Sequence, residues 1–247
     1  MRRFVTVVAL FVLCLLPLQS FAQDKIMAAV AANFIEPFKE IAAAFEIREH
    51  IQVEPTISST GKLYAQILEG APYDVFLSAD KQRPGQLFEK GMALKPFIYA
   101  RGRVVLWSSR KDLCSSGDWK TAVMRADVKK IALANIETAP YGTAAMMALK
   151  SAGLNDALKD KLVFPQDVAQ AFQYASTGSV DAGFCALSSA LSSKGKDGCR
   201  MDIKEAPLVV QSACVLVRTT HKAAADKFAA FLDSAEAEII KRKYGYQ

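Results

Sequence analysis

The chain passes three times in succession from a buried strand through a polar turn into a helix, and this repetition constrains its fold most. In the first unit the apolar run Ile26 to Ala31 predicts a strand, and Asn33 stands at the turn. In the second unit a strand at residues 51–57 ends in the hydroxyl-rich run 58–62. The third unit is the strand at 73–80. Such repeats predict parallel strands covered by helices, with ligand sites at the carboxyl ends of the strands.

Asn33 is predicted to cap the helix that follows it. Apolar residues then recur at helical spacing, namely Phe34, Phe38, Ile41, Ala42 and Phe45. Helix N-termini carry unpaired N–H groups and partial positive charge, which suits an anion. One isolated asparagine would be better explained as a simple cap, but the second turn, with Ser59 and Thr60, repeats the arrangement. Asp80 is assigned to capping alone, because its carboxylate would repel an anion.

Residues 1–22 predict a secretory signal peptide. Arg2 and Arg3 precede an apolar run of 15 residues, Phe4 to Leu18, which is shorter than a membrane span of about 20. The run ends in Ser-Phe-Ala, which favours cleavage after Ala22. We therefore expect a periplasmic protein.

Charge argues against nucleic acid as a partner. Without residues 1–22 the chain has 29 basic and 25 acidic residues, a net charge of about +4. The basic residues are scattered, and the densest group, at 241–243, is predicted to be the solvated last turn of a helix.

Four cysteines remain after cleavage: Cys114, Cys185, Cys199 and Cys214. An exported chain meets an oxidising compartment, so we expect at least one disulfide, and four cysteines allow three pairings. Cys114 and Cys199 lie in polar surroundings, which weakly favours their pairing. No C-x-x-C motif occurs, and the two histidines, His50 and His221, are predicted at the surface, which disfavours a metal site.

The length and pattern predict two α/β lobes. The pattern breaks near residue 102, and a strand begins at Val104, which indicates a crossover. We predict lobe I at 23–101 plus 219–247 and lobe II at 102–218. The strand at 208–217 is expected to return the chain, and the helix at 222–231 to pack on lobe I.

Binding without turnover is favoured over catalysis. The chain has no G-x-S-x-G, H-E-x-x-H, Walker or G-x-G-x-x-G motif, and its two histidines adjoin no plausible nucleophile. We expect no catalytic residues and no cofactor. The candidate hydrogen-bond donors at strand-to-helix turns are Asn33, Ser59, Thr60 and the backbone at Tyr141 and Val168.

All of these donors are uncharged, and this predicts a choice of ligand. Several N–H and O–H dipoles in a dry cleft can hold a dianion. A hydrogen-carrying oxyanion would leave its proton without an acceptor, at a cost of roughly 1–3 kcal/mol. We therefore expect a fully deprotonated oxyanion.

The chain resembles the periplasmic molybdate-binding proteins of ABC transporters, which have the two-lobed type II solute-binding fold. The resemblance covers nearly all of the mature chain. It is carried by Ala31-Ala32-Asn33-Phe34, Ser59-Thr60-Gly61-Lys62-Leu63, Glu69-Gly70-Ala71-Pro72, Asp74 to Asp80, Ala139-Pro140-Tyr141-Gly142, Asp167-Val168, and the ending from Phe231 to Tyr246.

The resemblance implies two lobes with mostly parallel sheets and a ligand cleft between them. It implies that Asn33, Ser59, Thr60, Tyr141 and Val168 bind molybdate or tungstate, the last two through backbone N–H groups. Molybdenum would enter only as the oxyanion. It further implies a monomer that delivers its ligand to a membrane permease.

One position departs from the family. Some members have a tyrosine hydroxyl where this chain has Ala186, and we expect the Asn33 side-chain amide to replace it. On that basis Asn33→Asp should weaken binding while hardly changing the stability of the ligand-free protein. The alternatives are a receptor for sulfate or an organic ligand, and a secreted hydrolase using Ser59 or Thr60.

Overall fold

The computed structural model describes residues 24–247, and the predicted signal peptide lies outside them. The described residues form two five-stranded sheets flanked by helices. The strands are β1 (Asp24–Ala31), β2 (Ile51–Ser58), β3 (Val75–Ser78), β4 (Phe97–Gly102), β5 (Val104–Ser108), β6 (Ile131–Leu133), β7 (Leu162–Val163), β8 (Ala182–Ala186), β9 (Cys199–Asp202) and β10 (Val209–Val215).

The α-helices are α1 (Ile35–Glu49), α2 (Thr60–Leu68), α3 (Gln82–Glu89), α4 (Trp119–Met124), α5 (Pro140–Ser151), α6 (Asn155–Leu158), α7 (Val168–Ser176), α8 (Leu187–Leu191), α9 (Lys222–Phe231) and α10 (Ala235–Lys243). Short 3₁₀ segments lie at Ala32–Phe34, Lys111–Ser116, Lys159–Lys161 and Lys194–Asp197. Within residues 24–247 we find no helix long and apolar enough to cross a membrane.

The sheet of lobe I has the strand order β2-β1-β3-β10-β4, and that of lobe II has the order β7-β6-β8-β5-β9. In lobe I, Ala31 is in register with Ser58 at the carboxyl ends of parallel β1 and β2. The two turns that follow these residues therefore start side by side on one sheet edge.

Each sheet combines two parallel pairings with two antiparallel ones, where the sequence predicted mostly parallel strands. β10 runs antiparallel to β3 and β4, and β5 runs antiparallel to β8 and β9. β5 and β10 each follow a crossing of the chain from one lobe to the other. They therefore enter their sheets in the direction opposite to that of the neighbouring strands.

The chain crosses between the lobes at Arg103 and again between β9 and β10. The predicted boundary at 218 is therefore wrong for β10, which lies in lobe I between β3 and β4. An apolar run indicates a buried strand but does not indicate which sheet buries it. We propose lobe I at 24–102 plus 209–247 and lobe II at 104–202.

Aromatic residues pack α1 and α9 against the sheet of lobe I. Phe38 and Phe45 of α1 are fully buried against Phe228 of α9, with the Phe45 and Phe228 ring centroids 5.1 Å apart. Burial of each such ring contributes roughly 1.5–3 kcal/mol. The expectation that this later helix packs back on lobe I is confirmed, with the predicted bounds of 222–231.

Lys241 departs from the prediction of a solvated helix end. It is only 2% exposed, its Nζ donates to the Tyr99 and Leu232 carbonyl oxygens at 2.8 and 2.9 Å, and it pairs with Glu238. The neighbouring Arg242 and Lys243 are exposed as predicted. The charge run thus includes one buried residue that joins α10 to β4.

A disulfide joins Cys114, in the 3₁₀ segment after β5, to Cys199 at the start of β9. Cys185 and Cys214 are free and buried. Burial raises the pKa of the Cys214 thiol to about 12 and raises that of Cys185 further. The expected disulfide is confirmed, and the pairing is the one that local polarity weakly favoured.

We predict that the paired variant Cys114→Ala/Cys199→Ala loses about 2–4 kcal/mol of unfolding free energy, because the bond closes a loop across 85 sequence positions. Denaturant titration measures the loss, and reduction of the wild type should reproduce it. Alkylation of the unreduced, denatured mature chain should label only two thiols, those of Cys185 and Cys214. Labelling of all four would contradict the disulfide.

Candidate functional site

Five strand-to-helix turns, three from lobe I and two from lobe II, line one small cavity. Measured as the space open to the centre of a water-sized sphere, its volume is about 10 Å³. Its lining comprises Ala31, Ala32, Asn33, Ser59, Thr60, Ala79, Ala139, Pro140, Tyr141, Asp167 and Val168. All five residues proposed from the sequence are brought together here, and their role as ligand contacts stays a prediction.

The Ser59 hydroxyl is held at the cavity without a partner of its own. Ser59 occupies the N-cap position of α2, but its side chain makes no capping bond. Among the residues that the structure describes, its Oγ is the buried side-chain polar atom that lacks a hydrogen bond. A buried unpaired hydroxyl costs roughly 1–3 kcal/mol, so this geometry favours an acceptor inside the cavity.

The Thr60 hydroxyl differs from that of Ser59 because its oxygen already accepts one hydrogen bond. Its Oγ1 accepts a hydrogen bond from the Ala79 backbone N–H at 2.9 Å. The hydroxyl proton is therefore directed away from that bond and can serve a second acceptor. Both hydroxyls can donate, but only that of Ser59 is wholly uncommitted.

Lobe II contributes two helix N-termini to the cavity. Tyr141 is the second residue of α5, after Pro140, and Val168 is the first residue of α7. Backbone N–H groups in the first turn of a helix have no intrahelical partner and carry the positive end of the helix dipole. The two positions can thus supply donors without supplying charge.

Asp167 is the polar residue of the cavity lining that the sequence analysis did not include among the candidate site residues. Its Oδ1 accepts the Gln170 backbone N–H at 2.9 Å and so caps α7. The order Asp-Val-Ala-Gln is a capping pattern that predicts this bond. A carboxylate at the wall disfavours an anion, and its helix bond offsets part of that effect.

Asn33 does not cap α1, so the N-cap prediction is wrong. A 3₁₀ turn, Ala32–Phe34, separates β1 from the helix, and Phe34 takes the capping position. The Asn33 Nδ2 instead donates to Gln211 Oε1 at 2.7 Å and to the Tyr246 hydroxyl at 3.0 Å. Both protons of the amide are used, so the side chain is not the free donor that the sequence suggested.

Asp80 acts as predicted. Its Oδ1 accepts the Arg83 backbone N–H at 2.9 Å at the start of α3, and its carboxylate also pairs with the Arg83 guanidinium. Asp80 does not line the small cavity. Its role is therefore local, which agrees with its assignment to capping alone.

The lobes contact each other around the mouth of the cavity. The Gly61 backbone N–H donates to the Thr138 carbonyl at 2.8 Å, and the Arg83 side chain donates to the Glu137 carbonyl at 2.9 Å. Lys62 Nζ donates to Gln166 Oε1 across the same junction. These bonds hold the turns of lobe I against the turns of lobe II.

Buried side-chain hydroxyls and an amide lie beside the cavity, and their contacts escaped the sequence analysis, which had proposed Tyr141 only through its backbone N–H. They belong to Tyr99, Tyr141, Ser188, Gln211 and Tyr246. Burial raises the pKa of each of the three tyrosines, so all three are neutral hydroxyls at physiological pH. Ala186 is buried at the end of β8, and the nearby Ser188 hydroxyl donates to the Asn33 carbonyl at 2.7 Å.

Neither histidine lies at the cavity. Both His50 and His221 are exposed, as predicted, and the His221 Nδ1 lies 3.3 Å from an oxygen of Asp74. Within residues 24–247 no group of three or more acidic, histidine or cysteine side chains could hold a metal ion. The hydroxyls of Ser59 and Thr60 therefore have no imidazole base beside them.

The chain crosses twice between two α/β lobes, and the lobes meet at a cavity lined by uncharged hydrogen-bond donors. This arrangement is that of a two-lobed solute-binding protein. A family model for the bacterial extracellular solute-binding proteins matches residues 26–247. The molybdate-binding protein ModA of Rhodobacter capsulatus is 38% identical over 227 residues, covering 91% of this chain and 89% of that protein. ModA of Azotobacter vinelandii is 36% identical over 228 residues, covering 90% and 89%.

The structural comparison agrees with the sequences. The periplasmic molybdate-binding protein of Azotobacter vinelandii is similar with a TM-score of 0.85 and 31% identity, over 90% of this chain and 98% of that one. The chain therefore belongs to the bacterial extracellular solute-binding protein family.

We predict that Asn33→Asp lowers the unfolding free energy of the ligand-free protein by about 2 kcal/mol or more. The change removes two buried donors and places a carboxylate against Gln211 Oε1. This replaces the sequence-based expectation of nearly unchanged stability. Denaturant titration at neutral pH measures the deficit relative to wild type.

The same variant carries an internal control in its pH dependence. A buried carboxylate without a cationic partner has a raised pKa in the folded state. Protonation restores one donor, so the deficit relative to wild type should shrink as the pH falls through that pKa. A variant as stable as wild type at neutral pH would show that Asn33 is not held by this network.

Proposed function

We propose that this protein binds molybdate in the cavity between its lobes and delivers it to the permease of an ABC importer. The unpartnered Ser59 Oγ, aligned with the first turns of helices from both lobes, is the observation that carries the proposal. The similar molybdate-binding proteins support the choice of ligand. The proposed contacts are the Ser59 and Thr60 hydroxyls and backbone N–H groups at Asn33, Tyr141 and Val168.

The uncharged character of these donors supports a tetrahedral dianion. Each contributes a dipole to a cavity that both lobes shield from water, where such hydrogen bonds are stronger than in solvent. Tungstate has the same charge and tetrahedral shape as molybdate, so the same contacts would accept it. Sulfate is smaller and would leave some of the donors too far away.

The remaining parts of the proposal concern where and how the protein acts. An exported chain cleaved after Ala22 would operate in the periplasm as a monomer that needs no cofactor and performs no reaction. Binding draws the lobes together, so the permease can recognise the loaded protein by the surface that spans both lobes.

We predict from these contacts that calorimetry of the purified mature protein will show tight binding of molybdate and tungstate, weaker binding of sulfate and almost none of phosphate. Near neutral pH phosphate carries at least one proton, which needs an acceptor, and this should weaken its binding by about tenfold or more.

The same titration can contradict the proposal in two ways. If none of the oxyanions gives a heat of binding, the proposed function is wrong. Phosphate binding as tight as molybdate would contradict the neutral-donor argument, and Asp167→Asn would then show whether that carboxylate accepts the phosphate proton.

A second prediction separates closure of the lobes from stability of the fold. A Cβ added at Gly61 would lie 2.9 Å from Thr138 Cα in the other lobe, whereas a Cβ at Gly85 in α3 would meet nothing within 4 Å. Gly61→Ala should therefore weaken molybdate binding about tenfold or more, because the closed state must shift.

Gly85→Ala is the matched control and should bind as wild type does. Both replacements lie in helices, where alanine is favoured over glycine by up to about 1 kcal/mol, so neither should lower the melting temperature without ligand. Equal molybdate affinities for the two variants would show that the lobes need not approach at Gly61.

A further inference from the structure

Gln211, in the middle of β10, uses its whole side-chain amide inside the protein. It is completely buried, and its Oε1 accepts from Asn33 Nδ2 at 2.7 Å and from the Tyr99 hydroxyl at 3.0 Å. Its Nε2 donates to the Tyr141 hydroxyl at 3.3 Å. A flipped amide would set two NH₂ groups against each other, so these contacts fix its orientation.

These bonds tie together the two turns that are proposed to hold the ligand. Asn33 belongs to lobe I and Tyr141 to lobe II, and both line the cavity. A second link lies beside the first, where the Tyr246 hydroxyl donates to the Asn33 carbonyl at 2.7 Å and lies 3.2 Å from Ser188 Oγ of lobe II. The linked polar groups of Asn33, Gln211, Tyr141, Tyr246 and Ser188 thus form a polar floor of the cavity, and this floor is continuous across the lobe junction.

Gly102, the final residue of β4 and adjacent to the Arg103 crossover, permits this approach. A Cβ at this position would lie 1.9 Å from the Tyr141 hydroxyl oxygen and 2.9 Å from Gln211 Nε2. The backbone of the crossover is therefore in direct contact with the network. Movement of one lobe about this crossover has to move or break the bond between Gln211 and Tyr141.

We infer that Gln211 is a positioning residue of the ligand site, which sets the distance between the Asn33 turn and the Tyr141 turn. It touches no cavity surface itself and acts through the side chains of these two residues. The inference rests on the proposed oxyanion site. Its consequence is selectivity by size, since a fixed spacing suits molybdate better than the smaller sulfate.

The test compares Gln211→Met with Ser212→Ala. Methionine keeps the length of the side chain and removes all three hydrogen bonds. Ser212 is the next residue of the same strand, is buried, and donates only within lobe I, to the Phe97 carbonyl at 2.9 Å. Both variants lose buried hydrogen bonds, but only the first loses the tie between lobes.

Two measurements are made on each mature protein. Calorimetry gives the molybdate and sulfate affinities, and we expect Gln211→Met to lose about tenfold in molybdate affinity with a smaller loss for sulfate. Hydrogen exchange without ligand follows the backbone amides at 32–35 and 141–143, which should exchange faster in Gln211→Met. Ser212→Ala should keep the affinity ratio and the slow exchange even where its melting temperature falls.

Tyr141→Phe is the second variant in case Gln211→Met does not fold. It removes only the hydroxyl that Gln211 contacts and leaves the Tyr141 backbone N–H in place. It should lower the ratio of molybdate to sulfate affinity in the same direction.

The outcomes separate this inference from the proposed function. Unchanged exchange at both turns together with an unchanged affinity ratio would overturn the positioning role, whatever the wild type binds. A wild type that binds neither ion, with exchange still faster in Gln211→Met, would overturn the proposed function and leave the coupling of the turns in place.

Discussion

Uncharged donors can hold an anion only where water cannot compete for it, and this requirement governs the whole architecture. A hydrogen bond from an N–H or hydroxyl is worth little net in solvent and much more in a dry, low-dielectric cavity. One sheet edge can present donors from one side only. Two lobes that close on each other can surround a tetrahedral ion, and in this chain three strand-to-helix turns of lobe I and two of lobe II line one cavity.

The polar floor meets the same requirement from beneath. The contacts proposed at the helix N-termini of Tyr141 and Val168 require a fixed spacing from the lobe I turns. The buried amide of Gln211 and the hydroxyl of Tyr246 supply that spacing without charge, and burial keeps the tyrosine neutral. A charged residue in the polar floor would have changed the electrostatic field at the proposed ligand site.

Local sequence patterns were sufficient for the turns but not for the contacts that connect distant segments. The strands, the helices after Asn33 and Ser59, and the presence of a disulfide were accessible because the spacing of apolar residues and the signs of an oxidising compartment are local signals. The partner of Asn33 was not accessible, since Gln211 is 178 positions away. The apolar run at 208–217 likewise indicated a strand but could not assign it to lobe I. The uncommitted state of the Ser59 hydroxyl depends on three-dimensional packing alone.

The position of β10 also determines when lobe I can become complete. β10 pairs with both β3 and β4, which precede it by more than 100 positions, and all of lobe II lies between them in the sequence. Because the chain is synthesised from its N-terminus, β3 and β4 have unpaired edges until lobe II and then β10 have been made. Open strand edges are sites of aggregation, and distant pairings form slowly. The order of synthesis therefore makes the second lobe a prerequisite for the first, and the chain is most exposed to misassembly during that interval.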